Sequence, residues 1–145
     1  MSVRKGFRRL EHTADEYIMA FGNSLEEDLE SAAVALSEVM TDSRTVGQKI
    51  REEIRIEAED EKSLLYSWLE SILIKFDAEG KLYSKFDVSK IEENGNVFCL
   101  ESTIWGEVYN PEKHPSRTGV KAITYYKMEI IKEKGKVSAK FLLDI

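Results

Sequence analysis

Apolar and polar positions alternate along this chain in two rhythms, and the rhythm changes at recognisable signals. Phe7–Leu10 and Tyr17-Ile18-Met19-Ala20-Phe21 are short runs of strand type, the second closed by Gly22-Asn23. From Ser24 the period lengthens. Leu25, Leu29, Ala32, Ala33, Leu36, Val39 and Met40 recur at three-and-four spacing, which predicts a helix burying one face. Ser24-Leu25-Glu26-Glu27 is a capping box: the Ser side chain takes the amide three residues on, and Glu27 reaches back. Glu26, Glu27, Asp28 and Glu30 suit the positive end of the helix dipole, and Thr41-Asp42-Ser43 ends the segment. Strict alternation returns in Ile54-Arg55-Ile56-Glu57-Ala58, a half-buried strand. Asp60 then caps a second helix with the stripe Leu64, Leu65, Trp68, Leu69, Ile72, Leu73 and Phe76, stopped by Gly80. That stripe is core rather than a partner-binding face, because a mixed fold of this size needs such a helix across its sheet.

Beyond Gly80 the chain is mostly strand. Leu82–Ile91 and Val97–Val108 flank Asn94-Gly95, the strongest short hairpin signal. Val120–Lys132 and Val137–Leu143 flank a turn at Gly135. Between these pairs runs Asn110–Gly119, a long loop with both prolines, expected as a surface crossover of the kind that often carries binding. In the last strand Val137, Ala139, Phe141 and Leu143 share one face, and Asp144 falls on the other. This order predicts an α+β fold: a single two-layer domain over residues 1–145, with a mainly antiparallel sheet and two long helices packed on one side. The two helix-then-strand passages hint at a diverged duplication, although no residues repeat.

Composition narrows the function. The chain has 145 residues, 42% hydrophobic and 33% charged, enough to bury roughly two-thirds of its unfolded surface. Its 21 basic and 27 acidic residues give a net charge of −6, which argues against a sequence-independent nucleic-acid binder. Arg4-Lys5-Gly6-Phe7-Arg8-Arg9 is a local exception, a basic edge strand first and a phosphate or partner contact second. The single Cys99 makes no internal disulfide, and its apolar neighbours predict a buried, inert strand thiol. No apolar run approaches a membrane span and no signal-peptide pattern follows the basic start, so the cytoplasm is the default expectation.

Candidate chemistry lies in three places. Glu11-His12-Thr13-Ala14-Asp15 links two strands, and its residue types are those of an ordinary turn. The chain closes on Leu142-Leu143-Asp144-Ile145. If the ends meet, Asp15, Asp144 and the terminal carboxylate of Ile145 converge. Two carboxylates about 4 Å apart repel by roughly 4 kcal/mol at an effective dielectric near 20, so a proton or a cation must sit with them. An all-oxygen set selects a hard ion such as Ca²⁺ or Mg²⁺ over zinc. Spacing does not show that the ends meet. The two histidines, His12 and His114, have plain readings as a turn residue and a solvated loop residue; no third His or Cys supports zinc. No nucleophile motif accompanies His12 as a general base. The long loop leads into Lys121-Ala122-Ile123-Thr124-Tyr125-Tyr126, without a Walker A motif, a Gly-rich dinucleotide turn or a zinc-deaminase signature.

Several of these segments together resemble one family. Glu11-His12-Thr13-Ala14-Asp15 followed by Gly22-Asn23-Ser24-Leu25-Glu26-Glu27 is similar to the amino-terminal signature of the archeases. Asn110-Pro111-Glu112-Lys113-His114 with Lys121-Ala122-Ile123-Thr124-Tyr125 resembles their second signature, Leu64–Glu70 their long helix, and Asp144-Ile145 their carboxyl end. The resemblance implies a small cytosolic protein that is not itself an enzyme. It would assist the GTP-dependent RNA-splicing ligase of tRNA splicing and RNA repair, promoting guanylylation and multiple turnover and meeting tRNA only indirectly. It also implies a divalent-metal site at Asp15, Asp144 and Ile145, taking Ca²⁺ first, with Mg²⁺ or Mn²⁺ as alternatives. The signature residues His12, Lys121 and Thr124 become candidate partner contacts. One departure stands out: the second signature usually continues with His then Asp, where this chain has Tyr126-Lys127. Two other classes compete: a general chaperone or adaptor for nucleic-acid-processing enzymes, and a metal-dependent phosphoesterase, which lacks an evident nucleophile or base.

Overall fold

The computed structural model describes residues 5–10 and 15–145. Strands form where the sequence alternates: β1 (Gly6–Leu10), β2 (Glu16–Gly22), β3 (Ile50–Ala58), β4 (Lys81–Asn94), β5 (Val97–Val108), β6 (Ala122–Glu133) and β7 (Lys136–Asp144). Helices α1 (Leu25–Met40) and α2 (Glu61–Glu79) occupy the two longer-period stretches. At α2 the cap is closed both ways: the Asp60 carboxylate accepts the Ser63 N–H at 2.7 Å, and the Ser63 hydroxyl accepts the Asp60 N–H at 3.2 Å. Gly80 ends α2 at φ 66°, the left-handed conformation that glycine adopts without penalty. At α1, Ser24 accepts the Glu27 N–H at 3.2 Å, but Glu27 reaches one residue further than the capping box predicts. Its carboxylate takes the backbone and side-chain amides of Asn23, at 3.2 and 3.1 Å.

The α+β class and the antiparallel pairing follow the sequence. The strands, however, divide between two sheets, ordered β1-β2-β7-β6 and β3-β5-β4. The helix pair joins them. α1 packs on β2 and β7 of the first sheet and on β4 of the second; α2 packs on β6 and on β3 and β4. Among the described residues, no strand of one sheet packs directly on a strand of the other. The burial of α1 records this position. From Asp28 to Met40, only the stripe Glu30, Val34 and Glu38 is not fully buried. Its other faces are lined by small residues, including Ser31, Ala32, Ala33, Ala35 and Ser37, which let strands approach closely. Side chains then tie the layers: Ser37 Oγ donates to the Tyr83 carbonyl at 2.7 Å and Trp68 Nε1 to the Leu29 carbonyl at 2.8 Å. Glu30 accepts the Val88 N–H at 2.7 Å.

Two expectations change. Asp28 belongs to the acidic first turn, yet it is fully buried, and neither carboxylate oxygen has a hydrogen-bond partner. Burial pushes its carboxyl up to about 8. Cys99 is half-buried rather than buried, because it lies on the outer side of β5, opposite the inward Leu100. Among the described residues, no helix is long and apolar enough to cross a membrane.

Candidate functional site at the end of the four-stranded sheet

Strand pairing places the predicted acidic residues. β2 and β7 run antiparallel with Glu16 opposite Leu143, so Asp15 and Asp144 stand one step beyond, at the same end of adjacent strands. Alternation fixes their side. Ile18 and Ala20 on β2, and Ala139, Phe141 and Leu143 on β7, are buried against the helices. Tyr17 and Asp144 therefore face outward, and the same alternation carried two residues back from Tyr17 puts Asp15 on that outer side. Asp144 is exposed, Asp15 is half-buried, and Ile145 packs partly against the core. β6 completes the end: Ala122 pairs with Asp144, and the Lys121 N–H donates to the Asp144 carbonyl at 2.7 Å. Lys121 thus lies beside the acidic pair, while Thr124 pairs with Leu142 two rows along. His12 and Glu11 lie outside the described residues. Among the described residues, no three His, Cys, Asp or Glu side chains cluster as a metal site. Asp15 and Asp144 are a pair of hard oxygen donors, which fits Ca²⁺ or Mg²⁺ and needs further oxygen ligands.

Next to this end, β6 carries a large bulge. The register passes from Thr124–Leu142 directly to Glu129–Lys140, so four residues of β6 face one residue of β7. The bulge contains Tyr125, Tyr126 and Lys127, all exposed, and Lys127 has φ 60°. Tyr125 stacks on Tyr66 of α2, with ring centroids 4.4 Å apart and planes within 5°. Lys127 reaches back across β7 until its Nζ is 5.5 Å from the centre of the Tyr17 ring on β2.

The chain matches the model described as "Archease protein family (MTH1598/TM1083)" over residues 7–145. It belongs to the archease family. It is 45% identical to a Sulfurisphaera tokodaii archease across 96% of this chain and 98% of that one. It is 43% identical to the Methanothermobacter thermautotrophicus archease across 97% and 99%. Among solved structures, the solution structure of Methanobacterium thermoautotrophicum protein 1598 superposes with TM-score 0.85 at 42% identity, covering 97% of this chain and 99% of that one. A Thermotoga maritima archease described as a "possible chaperone" has TM-score 0.61 at 22% identity, over 95% and 96%, and supports the fold alone.

The second archease signature has a structural role that sequence reasoning missed. His114 is buried, not a solvated loop residue. Its Nδ1 accepts the Asn110 N–H at 2.9 Å, so the ring proton is on Nε2, which lies 2.9 Å from Glu107 Oε2. Glu107 also accepts from Lys113 at 2.7 Å and from the Gly47 N–H at 2.6 Å. These hydrogen bonds, Lys113 first, hold its carboxyl down to about 2. With both ring nitrogens engaged, His114 is a staple and not a base. Arg117 and Thr118 then donate backbone N–H groups to the Met40 and Val39 carbonyls, both at 3.1 Å, closing the end of α1. The loop is the surface crossover expected, exposed along most of its length, and it is pinned at both places as it carries the chain from one sheet to Lys121 before β6. The i, i+4 pairing of Asn110 with His114 was the available signal.

Proposed function

We propose that this archease is a non-enzymatic activator of a GTP-dependent RNA-splicing ligase, acting through a divalent ion held at the outer end of the four-stranded sheet. The observation that carries this reading is the pairing of Glu16 with Leu143, which brings Asp15 and Asp144 from opposite ends of the sequence to adjacent positions. Asp15, Asp144 and Ile145 would hold the ion, with Ca²⁺ the first choice and Mg²⁺ or Mn²⁺ alternatives. When bound, such an ion neutralises the carboxylate pair and offers a hard Lewis acid at an exposed tip. The chain's own part is to orient that tip: Lys121 fixes the Asp144 backbone, and the two-sided pairing of β7 keeps it from fraying. Lys121 and Thr124, with His12, are the partner contacts in this reading. The net charge of −6 favours docking of the tip on a protein with a basic surface.

Calorimetric titration of chelator-treated protein with Ca²⁺, Mg²⁺ and Mn²⁺ tests the site. Binding should vanish in Asp15→Ala and in a chain shortened to Leu143, and Asp15→Ala should keep its fold while losing ligase stimulation. Ion binding that survives both changes would sink the site. A general chaperone or adaptor, in line with the description of the Thermotoga maritima relative, predicts stimulation of several partners and indifference to Asp144.

A further inference from the structure

Several outward rings of this protein carry one of the chain's own cations. Lys85 Nζ stands 4.5 Å from the Trp105 ring centre, Lys136 Nζ 5.7 Å from that of Phe21, and Lys127 Nζ 5.7 Å from that of Tyr126. The stack of Tyr125 on Tyr66 does not: among the described residues, no lysine or arginine lies over it. The stack sits at the edge of the four-stranded sheet, where the β6 bulge sets Tyr125 against α2 and leaves it 52% exposed. Carboxylates surround it instead. Glu70 lies one turn after Tyr66 on α2 and accepts a hydrogen bond from its hydroxyl. Glu59 and Asp60, both exposed, stand at the start of the same helix. Burial first, then the charges of Asp60, Glu70 and Glu59, push the Tyr125 hydroxyl above its usual range, so all three carboxylates act on that ring. Elsewhere many carboxylates have cation partners: Glu30 with Lys5, Glu52 with Lys75 and Lys81, Glu38 with Arg117, and Glu61 with Lys132. Glu59, Asp60 and Glu70 have no ion-pair partner among the described residues, and only part of the Asp60 charge is offset, by Lys62.

We propose that the Tyr66–Tyr125 stack, rimmed by the carboxylates of Glu59, Asp60 and Glu70, is a docking surface for an arginine side chain on a basic segment of a partner protein. A guanidinium is flat. It lies on an aromatic face and still offers N–H groups in its own plane to carboxylates at the rim. One face of Tyr125 is taken by Tyr66, and the other can extend the stack by one planar group. A lysine ammonium would supply the charge without the stacking, so it is the poorer occupant. Charge also decides between classes of partner. The three carboxylates repel a phosphate chain, and a second copy, with net charge −6, would bring the same acidic rim. A basic protein segment is complementary to both the rings and the rim, and tyrosine and arginine are among the residues that dominate interface energies. The ring is already held by the stack, so little freedom is lost when it is covered. Tyr125 directly follows Thr124, which puts this surface beside the acidic tip. Neither the ion nor the ligase is needed for the contact.

The test uses the whole protein in chelator at about 0.15 M salt, where attraction between distant charges is screened. Ligase stimulation and ion binding do not enter the readout, so this contact and the proposed function can fail separately. The probe is a fluorescent arginine-glycine-serine repeat peptide, compared by anisotropy with its counterpart in which every arginine is lysine. The arginine peptide should bind saturably and several-fold more tightly than the lysine peptide. Tyr125→Ala should bring it down to the lysine level, whereas Tyr125→Phe, which keeps the ring face, should not. Glu59→Gln/Glu70→Gln should weaken both peptides several-fold, and Glu133→Gln, at the far end of β6, neither; each variant should melt as the wild type does. No binding, equal binding of the two peptides, or unchanged binding in the Glu59→Gln/Glu70→Gln protein overturns the proposal. Sedimentation velocity and an oligouridylate titration on the same variants address the other occupants. Self-association or RNA binding that Tyr125→Ala abolishes would make the surface a contact between copies or a nucleic-acid site, and the proposal would fall.

Discussion

Asp28 is a residue whose type and place conflict. A carboxyl group in the first turn of a helix is normally favourable because the exposed N–H groups attract negative charge. Here the helix is covered on that side, and the carboxyl is shut away with no donor to meet it. Its folded value of about 8 stands far above the ordinary 3.8. The native state therefore binds a proton that the unfolded chain releases between those values. Its contribution is full below about pH 4 and is lost as pH rises through 8, at about 1.4 kcal/mol per pH unit. Asp28→Asn keeps the shape and removes the titration. Urea unfolding at pH 5, 7 and 9 should show wild-type stability falling faster with pH than that of Asp28→Asn; parallel slopes would show that Asp28 stays charged in the folded protein.

Among the elements, β6 shows what a strand gives up at a bulge. Lys127 holds φ 60°, a conformation costing a non-glycine residue about 1–2 kcal/mol. Lys127→Gly should therefore raise stability by about 1 kcal/mol. Chemical denaturation checks the sign, and a destabilised variant would mean that Lys127's packing, including its approach to Tyr17, outweighs its strain. Much of this was written in the chain. Capping at Asp60, the Gly80 stop and the hairpin turns at Gly95 and Gly135 are local chemistry, and they formed where the sequence put them. The outward side of Asp144 also followed from alternation alone. The bulge left a readable trace: Ile123 and Met128 both face the core, yet they are five apart, which a regular strand forbids. The two-sheet division left none. It depends on α1 being buried nearly all round, and alanine and serine satisfy both a one-faced helix and a two-faced one. The buried state of His114 was hidden for a similar reason, since a histidine before a proline looks the same whether or not Glu107 is folded over it.

At the scale of the whole molecule, the sheets are built separately and joined through the helices, and the first sheet is made from the two ends of the sequence. β1 and β2 come from the start, β6 and β7 from the end, and their shared edge carries Asp15 and Asp144. Like charges opposite one another on neighbouring strands cost up to about 1 kcal/mol. The acidic tip is thus a place where a bound cation would strengthen the pairing of β2 with β7. This gives the site a thermodynamic signature that needs no partner protein. In chelator, Asp144→Ala should melt close to the wild-type temperature, because Asp144 is exposed. With Ca²⁺ at a hundred times its dissociation constant, the wild type should gain about 2.7 kcal/mol while the variant gains nothing. The two melting curves should therefore separate on adding the ion. Curves that stay together, with the wild type unmoved by Ca²⁺, Mg²⁺ and Mn²⁺ alike, would mean that the two ends meet only to close the sheet.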